Sequence, residues 1–107
     1  MSSTTRQLSI KTGVVNRLAK EVTMYKEEAA MLKVRADAME ANGDDEYEVR
    51  QQRKVHADSV QMIPDSEKRL AKAISELEEL LASAEDDLRA TDEYKKAEQA
   101  FKAAKPE

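Results

Sequence analysis

From Leu8 onward a seam of residues three and four positions apart runs unbroken to Met39. It reads Leu8, Lys11, Val15, Leu18, Val22, Tyr25, Ala29, Leu32, Ala36, Met39, with Lys11 as the polar exception. An α-helix brings this alternation onto one face, and a narrow apolar stripe of that kind needs another helix to cover it. The seam therefore predicts a helix over about 4–41 and a fold made of packed helices. Thr4 followed by Gln7 fits a capping box at its start. Asn42-Gly43 fits its end, because glycine takes the left-handed conformation that closes a helix. At 1.5 Å per residue such a helix spans about 55 Å. Gly13 lies inside it, either as a tolerated surface glycine or at a close approach of another helix.

A second seam follows: Val49, Arg53, His56, Val60, Ile63, Glu67, Leu70, Ile74, Leu77, Leu81, Ala84, Leu88. Asp45 with Glu48 looks like its capping pair, with Asp44 as the alternative cap. The alternation passes through Pro64 without losing step, and no glycine or asparagine lies nearby to make a turn. The reading taken is one long helix 2, about 45–86, kinked at Pro64, where proline removes a backbone bond and pushes on the preceding turn. The rival reading puts Pro64 at the first position of a new helix. Helices 1 and 2, of matching length and joined by a short loop, are expected to be antiparallel neighbours.

Helix 3, about 90–104, repeats Ala90, Tyr94, Ala97, Phe101, Ala104. Both Ser83–Asp86 and Thr91 offer caps for it. It is expected beside the N-terminal half of helix 1, where Ile10 and Val14 widen the apolar face, with Leu80 at the same end of helix 2. The fold expected is all-α: an antiparallel three-helix bundle in a single domain, an elongated coiled-coil-like rod.

Charge narrows the function classes. The chain has 107 residues, 37% of them charged and 40% apolar, with a net charge of −4. No basic face is evident to displace counterions, so nucleic acid is not an expected partner. No segment approaches the ~20 apolar residues of a membrane span. MSSTTRQLSIK at the start lacks the apolar core of a signal peptide, so an intracellular, membrane-free protein is expected. Cysteine is absent, which removes disulfides and thiolate metal sites. His56 is the single histidine and falls in a seam, with no serine or cysteine at a recognisable catalytic spacing. Asp44, Asp45, Glu46 and Glu48 lack the spacing of a calcium loop and read as capping residues. Met24 and Met31 lie off the seam, seven apart, either as an adaptable binding face or as packing for the third helix. These features leave a non-catalytic binding protein or a structural coiled-coil spacer that self-associates.

Two stretches choose between them. IKTGVVNRLAKEVTMYKEEA, residues 10–29, resembles the first helix of the tubulin-binding cofactor A family, and MIPDSEKRLAKAISELEELL, residues 62–81, resembles its second-helix signature. Lys11-Thr12-Gly13-Val14-Val15, Met24-Tyr25 and Met62-Ile63-Pro64-Asp65 together carry the likeness. The resemblance implies a three-helix chaperone without enzymatic activity or cofactor. It implies capture of near-native β-tubulin released from the cytosolic chaperonin and its transfer towards the α/β heterodimer. Further implications are other tubulin-folding cofactors as partners, a cytoplasmic, cytoskeleton-associated location, and a monomeric or homodimeric state.

A helical bundle offers a face rather than a pocket. Against an acidic partner the residues expected to bind are the basic ones off the seam, Arg17, Lys20, Lys68 and Lys72. Tyr25 is expected as an anchor at the seam's edge, and Pro64 and Asp65 as shapers of the face.

Overall fold

The computed structural model describes residues 2–105, and among these no strand occurs. In chain order the helices are α1 (Ser3–Ala41), α2 (Glu46–Val60), α3 (Met62–Ala82), α4 (Asp86–Arg89) and α5 (Asp92–Ala104). The expected all-α class is found.

The ends of α1 follow from local chemistry. Its cap is Ser2 rather than Thr4. The Ser2 hydroxyl accepts the Thr5 amide at 3.1 Å and is bonded to the Thr5 hydroxyl at 2.7 Å. At the other end Gly43 has φ +77°. Its amide reaches the Glu40 carbonyl at 3.1 Å, and the Asp44 amide reaches that of Met39 at 3.0 Å. This paired closure satisfies two of the carbonyls that a helix end leaves open. Asp45 then occupies the cap position of α2, but its side chain makes no capping bond. The acidic first turn, Glu46 and Glu48, complements the positive helix end instead.

The single helix expected over 45–86 is divided. The α2 ladder ends at Val60 and α3 begins at Met62, yet Gln61 between them keeps helical angles, φ −64° and ψ −18°. The cause is Pro64. It has no amide for the carbonyl four residues back, that of Val60, and its ring crowds that oxygen. Pro64 is therefore the third residue of α3, inside the first turn, where an amide has no partner within its own helix. The chain passes the proline without a loop, and only the ladder is interrupted. Beyond Ala82 the helix does not run on to residue 86; Ser83–Glu85 connect it to the single turn of α4. Thr91 caps α5, its hydroxyl accepting the Tyr94 amide at 3.2 Å.

The chain forms two compact units. One comprises the residues up to Lys20 together with those from Lys68 onward; the other is Glu21–Glu67. In the first, Leu8, Val15 and Leu18 of α1, Ala73, Leu77 and Leu81 of α3, and Ala97 and Ala100 of α5 form one buried cluster. The third helix is thus where the sequence puts it. Val14 and Leu80 join the rim of this cluster, whereas Ile10 is 57% exposed and does not widen the face as expected. Lys11, the polar member of the seam, donates to Glu76 at 2.7 Å. Gly13 has no neighbour within 4 Å of the place a Cβ would occupy, so it marks no close approach.

In the second unit α1 pairs with α2 and the start of α3. Lys26 lies 3.4 Å from Glu67, and Arg53 donates to Asp37 at 2.7 Å and to Glu40. As the number rises along α1 it falls along the partner, so the two run antiparallel. Val22, Ala29, Leu32 and Ala36 are buried on α1, as the seam requires. On the partner, however, the buried residues are Ser59 and Ser66, continued by Ala73 in the first unit, while Val60 is exposed. The inward line of α2 and α3 is therefore shifted by one residue at every second position from the expected Val60, Glu67, Ile74. Small side chains let two helix backbones approach closely, and they take the central position although larger apolar neighbours flank them.

Candidate protein-binding faces

Because Val15 and Leu18 point into the core, Arg17 and Lys20 point out, and both are exposed. Lys68 and Lys72 are exposed on α3 in the same compact unit. Lys72 also bears on Glu76. The Glu76 carboxyl is held below its ordinary range, first by the hydrogen bond from Lys11 and more weakly by the charge of Lys72. Tyr25 is half-buried at the edge of the α1 seam, and Pro64 and Asp65 are exposed beside the buried Ser66. These last three belong to the Glu21–Glu67 unit. The four cations thus share one unit, and the other three candidates sit in the second.

The second unit has its own electrostatic centre. Arg53 lies between Asp37 and Glu40, which raise its pKa, and its hydrogen bond holds the Asp37 carboxyl below the ordinary range. These side chains are largely solvated, so the cluster marks where α1 meets α2 and adds little to the stability of the pair.

A groove in the first unit is lined by Ser2, Thr5, Leu80, Ala84, Leu88 and Thr91. The hydroxyls of Ser2, Thr5 and Thr91 are committed to structure. Ser2 and Thr5 bond each other, and Thr91 donates to the Leu88 carbonyl at 2.6 Å while capping α5. Among the described residues no cluster of three or more histidines or carboxylates is placed to hold a metal. No helix among them is long and apolar enough to cross a membrane.

The sequence profile of the tubulin binding cofactor A family matches residues 3–101. The chain belongs to the tubulin-binding cofactor A family. Its relatives include the tubulin-specific chaperone A of Mus musculus, 41% identical over 92 residues, which cover 86% of this chain and 84% of that one. Among solved structures it is similar to human tubulin chaperone cofactor A, with TM-score 0.81 and 37% identity over 94% of this chain and 96% of that one. It is also similar to the tubulin folding cofactor A of Arabidopsis thaliana, with TM-score 0.90 and 32% identity over 97% of each chain.

Sequence reasoning missed one group of residues. Val34, Tyr47, Val55 and Met62 are each more than two-fifths exposed, and so are Met24 and Met31, which it did single out. The signal was the spacing of Val55 and Met62, seven apart and each one residue before a seam position.

Proposed function

We propose that this chain is a tubulin-folding chaperone: it captures near-native β-tubulin and passes it towards the α/β heterodimer without catalysing a reaction. The reading rests on the family match across residues 3–101, together with relatives named as tubulin-specific chaperones. The cytosol is the compartment such a task requires, with other tubulin-folding cofactors as hand-off partners.

Arg17, Lys20, Lys68 and Lys72 are the proposed contacts for an acidic partner surface, and Tyr25, Pro64 and Asp65 of the Glu21–Glu67 unit are proposed as further contacts. Charge-assisted contacts of this kind steer association and weaken as salt shortens the screening length to about 8 Å at physiological strength. The test is co-migration of purified β-tubulin on native gels at low and high salt. Reversing Arg17 and Lys20 together to glutamate is expected to weaken capture about tenfold or more with helicity retained, and Arg50→Glu to matter less. Undiminished capture by the double reversal rejects these cations as the contact. Failure of the unmodified chain to capture competent β-tubulin rejects the chaperone reading and favours a self-associating helical spacer.

A further inference from the structure

The Glu21–Glu67 unit carries an apolar face that its own packing leaves open. The ion pairs define one edge of the α1–α2 seam: Lys26 with Glu67, and Arg53 with Glu40. Lys26 and Glu40 each follow a buried α1 residue, Val22 and Ala36, by four positions and so share an edge. Met24 and Met31 follow Val22 and Ala29 by two positions, about 200° round the helix, which carries them away from the ion-paired edge to the outer flank of α1, beyond Glu28 and Arg35. On the partner strand of the seam Val55 and Met62 precede His56 and Ile63 by one position, again opposite to Arg53. In an antiparallel pair whose ion-paired edges meet, the two remaining edges share the other side. The pairings of 26 with 67 and 40 with 53 place Met31 level with Met62. These four side chains are 57%, 60%, 47% and 45% exposed respectively.

Charge on this edge has one predominant sign. Glu28 lies between the two methionines on α1, Asp58 lies between Val55 and Met62, and Glu48 stands beyond Val55; the cation on the edge is Arg35. Each methionine and valine is spaced seven residues from its neighbour on the same strand, about 10 Å along a helix. With Met31 level with Met62, Val55 lies level with Ala38, so the stripe from Met24 to Val55 is about 21 Å long, about four helical turns. An acidic border selects against an acidic partner and for a basic one, and unbranched thioethers adapt to whichever apolar side chains arrive.

We propose that this face docks a basic amphipathic helix of a partner protein, laid along this side of the α1–α2 pair with its apolar stripe on Met24, Met31, Val55 and Met62. The inference stands apart from tubulin capture, since it uses the opposite charge sign and different residues.

The test uses the full chain with 13C-labelled methionine methyls. The probe is an 18-residue synthetic peptide of leucine and lysine at helical spacing, with a leucine–glutamate peptide of the same pattern as control. The expected result is saturable shifts of the Met24, Met31 and Met62 methyls with the lysine peptide, weaker at high salt, with Met39 unmoved. Asp58→Lys is expected to raise the dissociation constant about tenfold with helicity unchanged, and Met31→Ser to do likewise. Absence of those shifts overturns the proposal. An equal response to the glutamate peptide overturns it as well, because the acidic border would then select nothing. Shifts produced by vesicles of anionic lipid at the same three methyls would replace the helix with a membrane surface and overturn it too.

Discussion

Lys11 and Arg53 show how single cations are accommodated at an apolar seam. Each is a cation at or beside an apolar seam, and each resolves its position by reaching a carboxylate on the opposing helix, Glu76 at 2.7 Å and Asp37 at 2.7 Å. Both carboxyls have folded-state pKa values lowered from the ordinary 4.5 for Glu76 and 3.8 for Asp37. A lowered carboxylate pKa means the folded state holds its proton more weakly than the unfolded chain. The stabilisation is thus complete above the ordinary value and is lost as pH falls below it. Melting temperatures of the parent chain and of Lys11→Gln should accordingly differ slightly near neutral pH and converge in acid, well below the ordinary carboxylate range. A gap that persists in acid would mean that Lys11 acts through packing of its stem rather than through its charge. The effect is small because both partners are solvated.

At the scale of the element, Pro64 separates what was legible from what was not. The continuity of the seam announced that no loop intervenes, and the helical angles of Gln61 agree. The division of the ladder into α2 and α3 was not announced, because it follows from one missing amide rather than from any change of pattern. Pro64→Ala returns an amide to the Val60 carbonyl and joins the two ladders. An interior proline costs about 3 kcal/mol against alanine, but here it lies in a first turn, and its removal also frees the unfolded chain by about 0.4–1 kcal/mol. The expected outcome in urea unfolding is a stability unchanged or raised by about 1 kcal/mol, with the slope unchanged. A clear loss would show that the proline orders the junction. The seam of α1 was legible because its inward residues are also its apolar ones. That of α2 was not, because Ser59 and Ser66 face inward, and hydropathy ranks them below the exposed Val60.

Over the whole molecule the two units differ in what they bury. The unit joining residues up to Lys20 with those from Lys68 onward has leucine and valine from α1, leucine from α3 and alanine from α5 around one centre. Glu21–Glu67 buries Val22, Ala29, Leu32 and Ala36 with two serines, whose hydroxyls find no hydrogen-bond partner among the described residues. A methylene removed from water contributes about 0.8 kcal/mol, so a centre whose larger apolar side chains are Val22 and Leu32 is weaker than one with Leu8, Val15, Leu18, Leu77 and Leu81. Hydrogen exchange should reflect this: amides of α2 are expected to exchange at least about tenfold faster than those around Ala73–Leu81 of α3. Uniform protection would mean that the chain opens only as a whole. The candidate binding residues were legible as exposed cations, because the seam alone fixes which way they point. The acidic-bordered apolar face was not, because it depends on which edges of two helices come together, and ion pairs rather than spacing decide that.

The openness of Met24, Met31 and Met62 has a chemical consequence as well. A thioether in contact with water is oxidised by peroxide to the sulfoxide, a polar and chiral group, while half-buried Met39 is shielded. Oxidant would thus erase the apolar character of one face and leave the buried seam intact, so that an aged sample could keep its full helicity after that surface had turned polar.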